Sequence, residues 1–185
     1  MSGENVLKHL DLFSGIGGFA LAARWAGIET VGFCEIEEYP RKVLEKNFPN
    51  VPIHHDIKDL DGKEYESIDI ITGGFPCQDI SRAGKGTGLK GARSGLWSEM
   101  FRIISEVRPQ WVIIENSSSL RGNGLARILQ DLWSLRFNAE WHIIPAANFG
   151  ASHQRERTWI IANSDCRGCK AERVTKSLGE VLSGE

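Results

Sequence analysis

The sequence has little of what a secreted or membrane-bound protein needs. Four cysteines in 185 residues are too few and too scattered for a disulfide framework. No apolar run approaches the roughly 20 residues that span a bilayer, and residues 1–5 lack the charged-then-apolar start of a signal peptide. We therefore expect a cytoplasmic protein, with no membrane among its partners.

Neither sign of charge is in excess, since 22 Lys and Arg face 24 Asp and Glu for a formal net charge of −2. This balance argues against a protein coated with nucleic acid, so contact with a polyanion must come from a local basic patch. Cys166 and Cys169 form a lone C-x-x-C without a second pair. A zinc or redox site is the less favoured interpretation, and we expect no metal.

Apolar strand-like runs alternate with amphipathic helical runs along most of the chain. This alternation predicts a single α/β domain with a largely parallel sheet and helices on both faces. We predict a domain over residues 1–163, and a polar tail over 164–185. The strands are predicted near residues 6–13, 29–35, 51–54, 67–72, 111–115, 139–145 and 158–162, with helices near 21–26, 39–48, 96–107 and 125–133.

Residues able to carry chemistry stand at or just past the ends of these strands. In open α/β sheets, ligands bind at the carboxyl edge of the strands. The sequence therefore predicts one active site along that edge, formed by Gly15, Glu35, Asp56, Cys77 and Glu115.

A glycine-rich turn follows the first strand. Residues 15–20 fit G-x-G-x-x-A, and Glu35 lies twenty residues after Gly15. The pattern is typical of a loop that binds an adenosine-type cofactor, with the acid on the ribose hydroxyls. A dinucleotide and S-adenosylmethionine both fit it, and Asp56 could bind the adenine amino group. The alternative is that the glycines only allow a tight turn.

The fourth strand runs into Pro76 and Cys77. Proline makes the turn rigid, and a thiol presented on a rigid turn suits a nucleophile. The alternative is a buried structural cysteine. Glu115 ends the neighbouring strand, where a protonated carboxyl group could donate to a base, or where it could simply cap the next turn.

Two basic segments lie near this predicted site. The loop 79–94 suits phosphate contact and closure on binding, although a solvated flexible loop is the simpler interpretation. Arg155 and Arg157 lie on one side of an extended segment and could grip a nucleotide or orient Glu115. Alternatively, the two arginines only form ion pairs at the end of a strand. The loop's basic residues are Arg82, Lys85, Lys90 and Arg93.

Four segments together resemble the cytosine-5 DNA methyltransferases. Residues 11–19 are similar to the cofactor motif of that family, and residues 74–78 to its Pro-Cys motif. Glu115 and Asn116 resemble its Glu-Asn-Val motif, and residues 155–157 the end of its Gln-x-Arg-x-Arg motif. The order and spacing agree, and the resemblance covers residues 7–162.

The resemblance implies a Rossmann-like S-adenosylmethionine-dependent methyltransferase sheet with an antiparallel strand near its C-terminal end. It also implies a reaction in which the target cytosine is flipped out of duplex DNA. Cys77 then attacks C6, Glu115 binds the N3 and amino edge, and C5 takes a methyl group from S-adenosylmethionine. Arg155 and Arg157 would lie beside Glu115.

The same resemblance assigns two further sets of residues. The cofactor pocket would be lined by Phe13, Gly15, Ile16, Gly17, Glu35, Ile36, Asp56, Ile57 and Pro76. The DNA would be contacted by Gln78, Ser81, Arg82, Lys85, Lys90 and Arg93.

The chain departs from the family pattern in two ways. Ser117 and His153 replace the usual Val and Gln. Family members also continue into a target-recognition domain and a last motif whose helix completes the cofactor pocket, and residues 164–185 can supply neither. We therefore expect a catalytic half with an exposed apolar patch, from a restriction-modification or phage modification system, with a separate C-terminal or target-recognition subunit as one possible partner.

Three other functions remain open. One is methylation of cytosine in tRNA, because a related branch shares these motifs. Another is a non-catalytic cofactor- or partner-binding remnant. A nicotinamide-dependent dehydrogenase fits the glycine turn but leaves Cys77 and Glu115 without a role.

Overall fold

The computed structural model describes residues 6–65, 67–76, 95–122 and 124–164. Its strands are β1 (Lys8–Leu12), β2 (Glu29–Cys34), β3 (Ile53–His54), β4 (Ile70–Gly73), β5 (Trp111–Ser117), β6 (Phe137–Pro145) and β7 (Glu156–Ser164). Its α-helices are α1 (Gly18–Trp25), α2 (Glu38–Asn47), α3 (Leu96–Val107) and α4 (Leu125–Ser134).

The strands form one sheet in the order β3-β2-β1-β4-β5-β7-β6. Strands β1 to β5 pair in parallel, whereas β7 is antiparallel to both of its neighbours. The prediction of a mostly parallel sheet with an antiparallel strand near its C-terminal end is confirmed. The chain runs outward from β1 to β3 and then returns to β4, so the order reverses between β1 and β4, where α/β sheets bind ligands.

Helices cover both faces of the sheet, as predicted. Apolar residues spaced three or four apart on α3 and α4 pack into the main core on one face. On the other face, Ala20 of α1 and Leu44 of α2 pack with Phe33 of β2 and with Phe48. Phe33 and Cys34 are consecutive and belong to opposite cores, as side-chain alternation along a strand requires.

β5 and β7 extend two residues beyond their predicted ends, and β3 is half its predicted length. The prediction that Glu115 closes its strand is wrong, because β7 pairs with β5 as far as Ser117, which lies opposite Arg157. β7 itself continues to Ser164, which pairs with Phe137. β3 has only two paired residues at the edge of the sheet. The remaining tail residues, 165–185, lie outside the described part of the chain.

An open groove of about 710 Å³ lies beside α1, over the antiparallel end of the sheet. Phe19 of α1 borders it and meets Trp159 of β7 edge to face, with ring centroids 5.8 Å apart. Phe149 also lines it and is 82% exposed. We call this the apolar groove; such a feature fits the expected exposed apolar patch. Among the described helices, none is long and apolar enough to cross a membrane.

Adjacent glycines at the start of α1 provide a matched test of this packing. Gly17 has φ 89°, and a Cβ there would lie 2.9 Å from Leu44 Cδ2 and 3.0 Å from Phe48 Cε2. A Cβ on Gly18 would meet nothing within 4 Å. We expect Gly17→Ala to lower the free energy of unfolding by about 2 kcal/mol and Gly18→Ala to leave it unchanged or slightly higher. Urea unfolding measures both, and equal losses would contradict this packing.

Candidate active site

The carboxylate of Glu35 joins the turns after β1 and β2 at the carboxyl edge of the sheet. Glu35 directly follows β2 and is 7% exposed. Its Oε2 accepts a hydrogen bond from the Gly15 amide at 2.7 Å, and its Oε1 accepts one from the Glu37 amide at 2.8 Å. The structure thus brings together the glycine turn and the acid twenty residues later. Each carboxylate oxygen keeps a lone pair for a further donor.

The turn from Phe13 to Gly17 has a backbone that few side chains tolerate. Phe13, Gly15 and Gly17 have φ values of 54°, 53° and 89°. The Ser14 hydroxyl donates to the Asp11 carbonyl at 2.7 Å, and the Ser14 amide donates to the Cys34 carbonyl at 3.1 Å. These bonds fix the turn against the ends of β1 and β2, and its glycines allow a ligand to approach the backbone closely.

Two exposed isoleucines adjoin this bonded pair. Ile16 follows Gly15 and is 62% exposed, and Ile36 follows Glu35 and is 63% exposed. Exposed apolar side chains beside a carboxylate with free lone pairs match a nucleoside, which has an apolar base and a ribose with hydroxyl donors. The residues present therefore fit the adenosine part of S-adenosylmethionine.

Asp56 lies two residues past β3, and its Oδ1 accepts the Lys58 amide at 3.0 Å. Burial, followed by the negative charges of Asp56 and Glu35, raises the pKa of the Cys34 thiol to about 12. The two carboxylates therefore both lie near Cys34. Ile57 is 3% exposed and packs in the main core.

The turn that leads to the predicted nucleophile is held from two sides. Phe75 is 2% exposed and its ring lies 5.6 Å from that of Trp97 on α3 and 6.4 Å from that of Phe13. Its carbonyl accepts a 2.8 Å hydrogen bond from Nδ2 of Asn116. Pro76 follows and is exposed. The predicted residues after Pro76 that lie outside the described residues are Cys77, Gln78, Ser81, Arg82, Lys85, Lys90 and Arg93.

Glu115 and Arg157 form an ion pair between neighbouring strands. Arg157 Nε lies 2.7 Å from Glu115 Oε1, and their side chains are 26% and 29% exposed. A Cβ on Gly74 would lie 3.1 Å from Glu115 Oε2, so this carboxylate reaches the turn before Pro76. Arg155 precedes β7 with φ 35°, and it lines the apolar groove together with Glu115 and Arg157.

A buried polar chain beneath the glycine turn was not predicted from the sequence. Thr72 Oγ1 donates to Asp11 Oδ1 at 2.7 Å, and His9 Nε2 lies 2.8 Å from the same hydroxyl. Because the Thr72 proton goes to Asp11, His9 Nε2 must be the donor in that contact. Nδ1 of His9 then accepts from the Thr30 hydroxyl at 2.9 Å. The chain of bonds links β2, β1 and β4, and with Nδ1 as an acceptor the His9 ring is neutral.

The burial of these two groups changes how readily they ionise. Burial raises the pKa of Asp11 to about 8, against the opposing effect of the Thr72 hydrogen bond. It lowers the pKa of His9 to about 4. Asp11 is completely buried, and its Oδ2 has no hydrogen-bond partner, so a negative charge there would be poorly compensated.

These pKa values predict how stability depends on pH. Between pH 4 and 6.5, unfolding protonates His9 but deprotonates Asp11, so the two contributions oppose each other. Between pH 6.5 and 8 only Asp11 differs. The folded state holds its proton and the unfolded state does not, so stability falls as the pH rises.

Asp11→Asn tests this pH dependence. Asparagine keeps an acceptor for Thr72 and cannot ionise. We expect the native free energy of unfolding to fall by roughly 2 kcal/mol from pH 6.5 to 8 relative to that of the variant. Urea unfolding at several pH values measures the difference, and parallel pH profiles would contradict a neutral Asp11.

Among the described residues, no group of three or more His, Cys, Asp or Glu side chains could hold a metal ion. The C-x-x-C pair, Cys166 and Cys169, lies beyond that part of the chain.

Comparison with known proteins decides the family. Residues 7–178 match the model of the C-5 cytosine-specific DNA methylases. The chain belongs to this family. It is 36% identical over 165 residues to the Type II methyltransferase M2.BsuMI of Bacillus subtilis. The aligned region covers 85% of this chain and 42% of that relative. It is 34% identical over 190 residues to M.DsaV of Dactylococcopsis salina, covering 97% and 54%. The methylase chain thus spans about half the length of these curated relatives.

Solved structures agree on the fold. A DNMT2 variant from Spodoptera frugiperda superposes with a TM-score of 0.72 at 21% identity, over 88% of this chain and 51% of that one. The Dnmt2 methyltransferase of S. pombe gives the same TM-score at 23% identity, over 89% and 51%. The predicted Rossmann-like methyltransferase sheet is therefore confirmed.

Proposed function

We propose that this chain is the catalytic half of a DNA cytosine-5 methyltransferase, which methylates C5 of cytosine. One observation carries the proposal: the Glu115–Arg157 pair lies beside the turn before Cys77. This pair shares one edge of the sheet with the Glu35-anchored glycine turn. Glu115, the acid proposed to bind the cytosine, and Glu35, the acid proposed to bind the ribose, thus lie at the same edge of the sheet.

The cofactor in this proposal is S-adenosylmethionine, which when bound supplies the methyl group that C5 accepts. Glu35 accepts hydrogen bonds from the ribose hydroxyls. It uses the carboxylate lone pairs that the Gly15 and Glu37 amides leave free. Asp56 accepts a hydrogen bond from the adenine amino group. The remaining members of the pocket are Phe13, Gly15, Ile16, Gly17, Ile36, Ile57 and Pro76.

The thiolate of Cys77 attacks C6 of the flipped cytosine and forms a carbon–sulfur bond, which drives electron density toward C5. Glu115, in its protonated form, donates to N3 and accepts from the amino group of the ring. Arg157 fixes the orientation of that carboxyl group through their 2.7 Å contact. Arg155, beside them at the groove, contacts the nucleotide. After C5 has taken the methyl group, its proton passes to water and the carbon–sulfur bond breaks, so that Cys77 leaves as a thiolate and the aromatic ring is restored.

Duplex DNA is the proposed partner. Charge supports a local interface, because a chain with a net charge of −2 carries four basic residues in the loop after Cys77. These residues contact phosphates and close over the DNA together with two polar side chains. The six residues are Gln78, Ser81, Arg82, Lys85, Lys90 and Arg93.

Target recognition comes, in this proposal, from a further region or a separate C-terminal subunit that packs on the catalytic domain. Residues 1–163 are the catalytic domain, and residues 164–185 begin the target-recognition region. The apolar groove supports this assignment, since its wall presents Phe19, Ile113 and Trp159 to open space. The Type II methyltransferase relatives suggest restriction-modification as the setting.

A calorimetric titration with S-adenosylmethionine tests the cofactor site. Glu35→Ala removes both anchoring contacts, so we expect affinity to fall at least about tenfold. Glu37→Ala is the matched control, because it keeps the backbone amide that bonds Glu35. Equal affinity for the native chain and Glu35→Ala, or an equal loss in both variants, would exclude this assignment.

A labelled-methyl assay tests the reaction and its substrate. The chain is supplied with the C-terminal half of a relative such as M2.BsuMI and is offered long mixed-sequence duplex DNA and tRNA separately. We expect label in DNA, and its complete loss in Cys77→Ser because a hydroxyl is a far weaker nucleophile at this site. Cys34→Ser, which changes a buried thiol of raised pKa, should retain activity. Label in tRNA alone, or activity in Cys77→Ser, would overturn the proposal.

A further inference from the structure

The turn that carries Asp56 receives little support from the sheet. β3 pairs with β2 only through Ile53 and His54, and the last backbone bond joins the Glu35 amide to the His54 carbonyl at 2.9 Å. Asp56 lies two residues further along. Its own bonds stay within the turn, since its Oδ1 accepts the Lys58 amide at 3.0 Å and its carbonyl accepts the Asp59 amide at 3.1 Å. The direction of the Asp56 carboxylate therefore depends on how residues 57–60 are held.

Arg102, in the middle of α3, supplies that support from outside the sheet. Its Nη2 donates to the Ile57 carbonyl at 2.8 Å, and its Nη1 donates to the Leu60 carbonyl at 3.0 Å. These two carbonyls enclose the turn that begins directly after Asp56. One guanidinium group therefore binds both ends of the segment 57–60.

The guanidinium is itself held by two acids on the same helix. Arg102 Nε lies 2.9 Å from Glu99 Oε2, and its Nη1 lies 3.1 Å from Glu106 Oε2. Glu106 Oε2 also accepts the Gly62 amide at 2.9 Å. The planar fork of arginine is required, because the single ammonium of lysine cannot reach two carbonyls and two carboxylates in these directions.

We propose that Arg102 is a positioning residue for recognition of the cofactor's base: by clamping residues 57–60 it aims Asp56 at the adenine amino group. The inference rests on the proposed cofactor site. It assigns selectivity for adenine to a side chain on α3 that acts through the backbone of residues 57–60. Arg102 touches neither the base nor the reacting atoms.

The clamp itself is tested on the chain without cofactor. Hydrogen exchange is compared for the native chain, Arg102→Lys and Arg108→Lys. Arg108 caps the same helix through bonds to the Ser105 and Leu135 carbonyls, so it is a matched control for the substitution. We expect amides in residues 58–62 to exchange at least about tenfold faster in Arg102→Lys only, with β1 and α1 unchanged.

The recognition role is tested by binding S-adenosylhomocysteine and its inosine analogue, in which a carbonyl replaces the amino group. The native chain should prefer the adenine compound by at least about tenfold, since a carboxylate aimed at the amino group faces an acceptor instead. Arg102→Lys should reduce that ratio severalfold, and Arg108→Lys should leave it unchanged. In an Asp56→Ala background, Arg102→Lys should no longer change the ratio.

The outcomes separate the two proposals. An equal loss of affinity for both compounds in Arg102→Lys would show only a structural role and overturn the inference. So would a ratio that Arg102→Lys still lowers in the Asp56→Ala background. Unchanged exchange in residues 58–62 would overturn it as well, with the cofactor site intact. A native chain that binds neither compound would overturn the cofactor site and, with it, the recognition role of Arg102.

Discussion

The bridge that Glu35 makes between the amides of Gly15 and Glu37 is the contact on which the cofactor side of the structure depends. It joins the turn after β1 to the turn after β2, where the sheet gives no further pairing. A buried carboxylate is stable there because each oxygen accepts a backbone donor. The same contacts orient the carboxylate, so the support of the turn and the presentation of a ribose acceptor come from one side chain.

The antiparallel strand β7 has a comparable role on the catalytic side. In a parallel sheet, the strand beside β5 would begin at the amino edge, far from the predicted nucleophile. Because β7 runs the other way, its first residues lie at the carboxyl edge, where Arg157 pairs opposite Ser117 and reaches Glu115. The antiparallel direction of β7 thus places Arg157, and Arg155 before it, at the edge where the parallel strands end.

Local signals were sufficient to predict the largely parallel sheet and to place the glycine turn and Glu35 at one edge of it, whereas the antiparallel strand was expected from the family resemblance. Apolar runs mark strands, glycines mark the turn, and a strand-end acid has a recognisable spacing. The polar chain of His9, Thr72 and Asp11 was not predictable, since its members are up to 63 residues apart and lie within apolar runs. Arg102 looked like an ordinary helical ion pair, and nothing local indicated that it reaches Ile57.

The apolar groove has an electrostatic consequence. The ion pair of Glu115 and Arg157 borders it, and about a quarter of each of these side chains is in contact with water. A polypeptide seated in the groove displaces that water and lowers the local dielectric constant, so the attraction between the two charges rises. Binding of a polypeptide in the groove therefore also strengthens the attraction that orients the Glu115 carboxylate. Covering the groove would thus change the electrostatic environment of the acid as well as the packing around it.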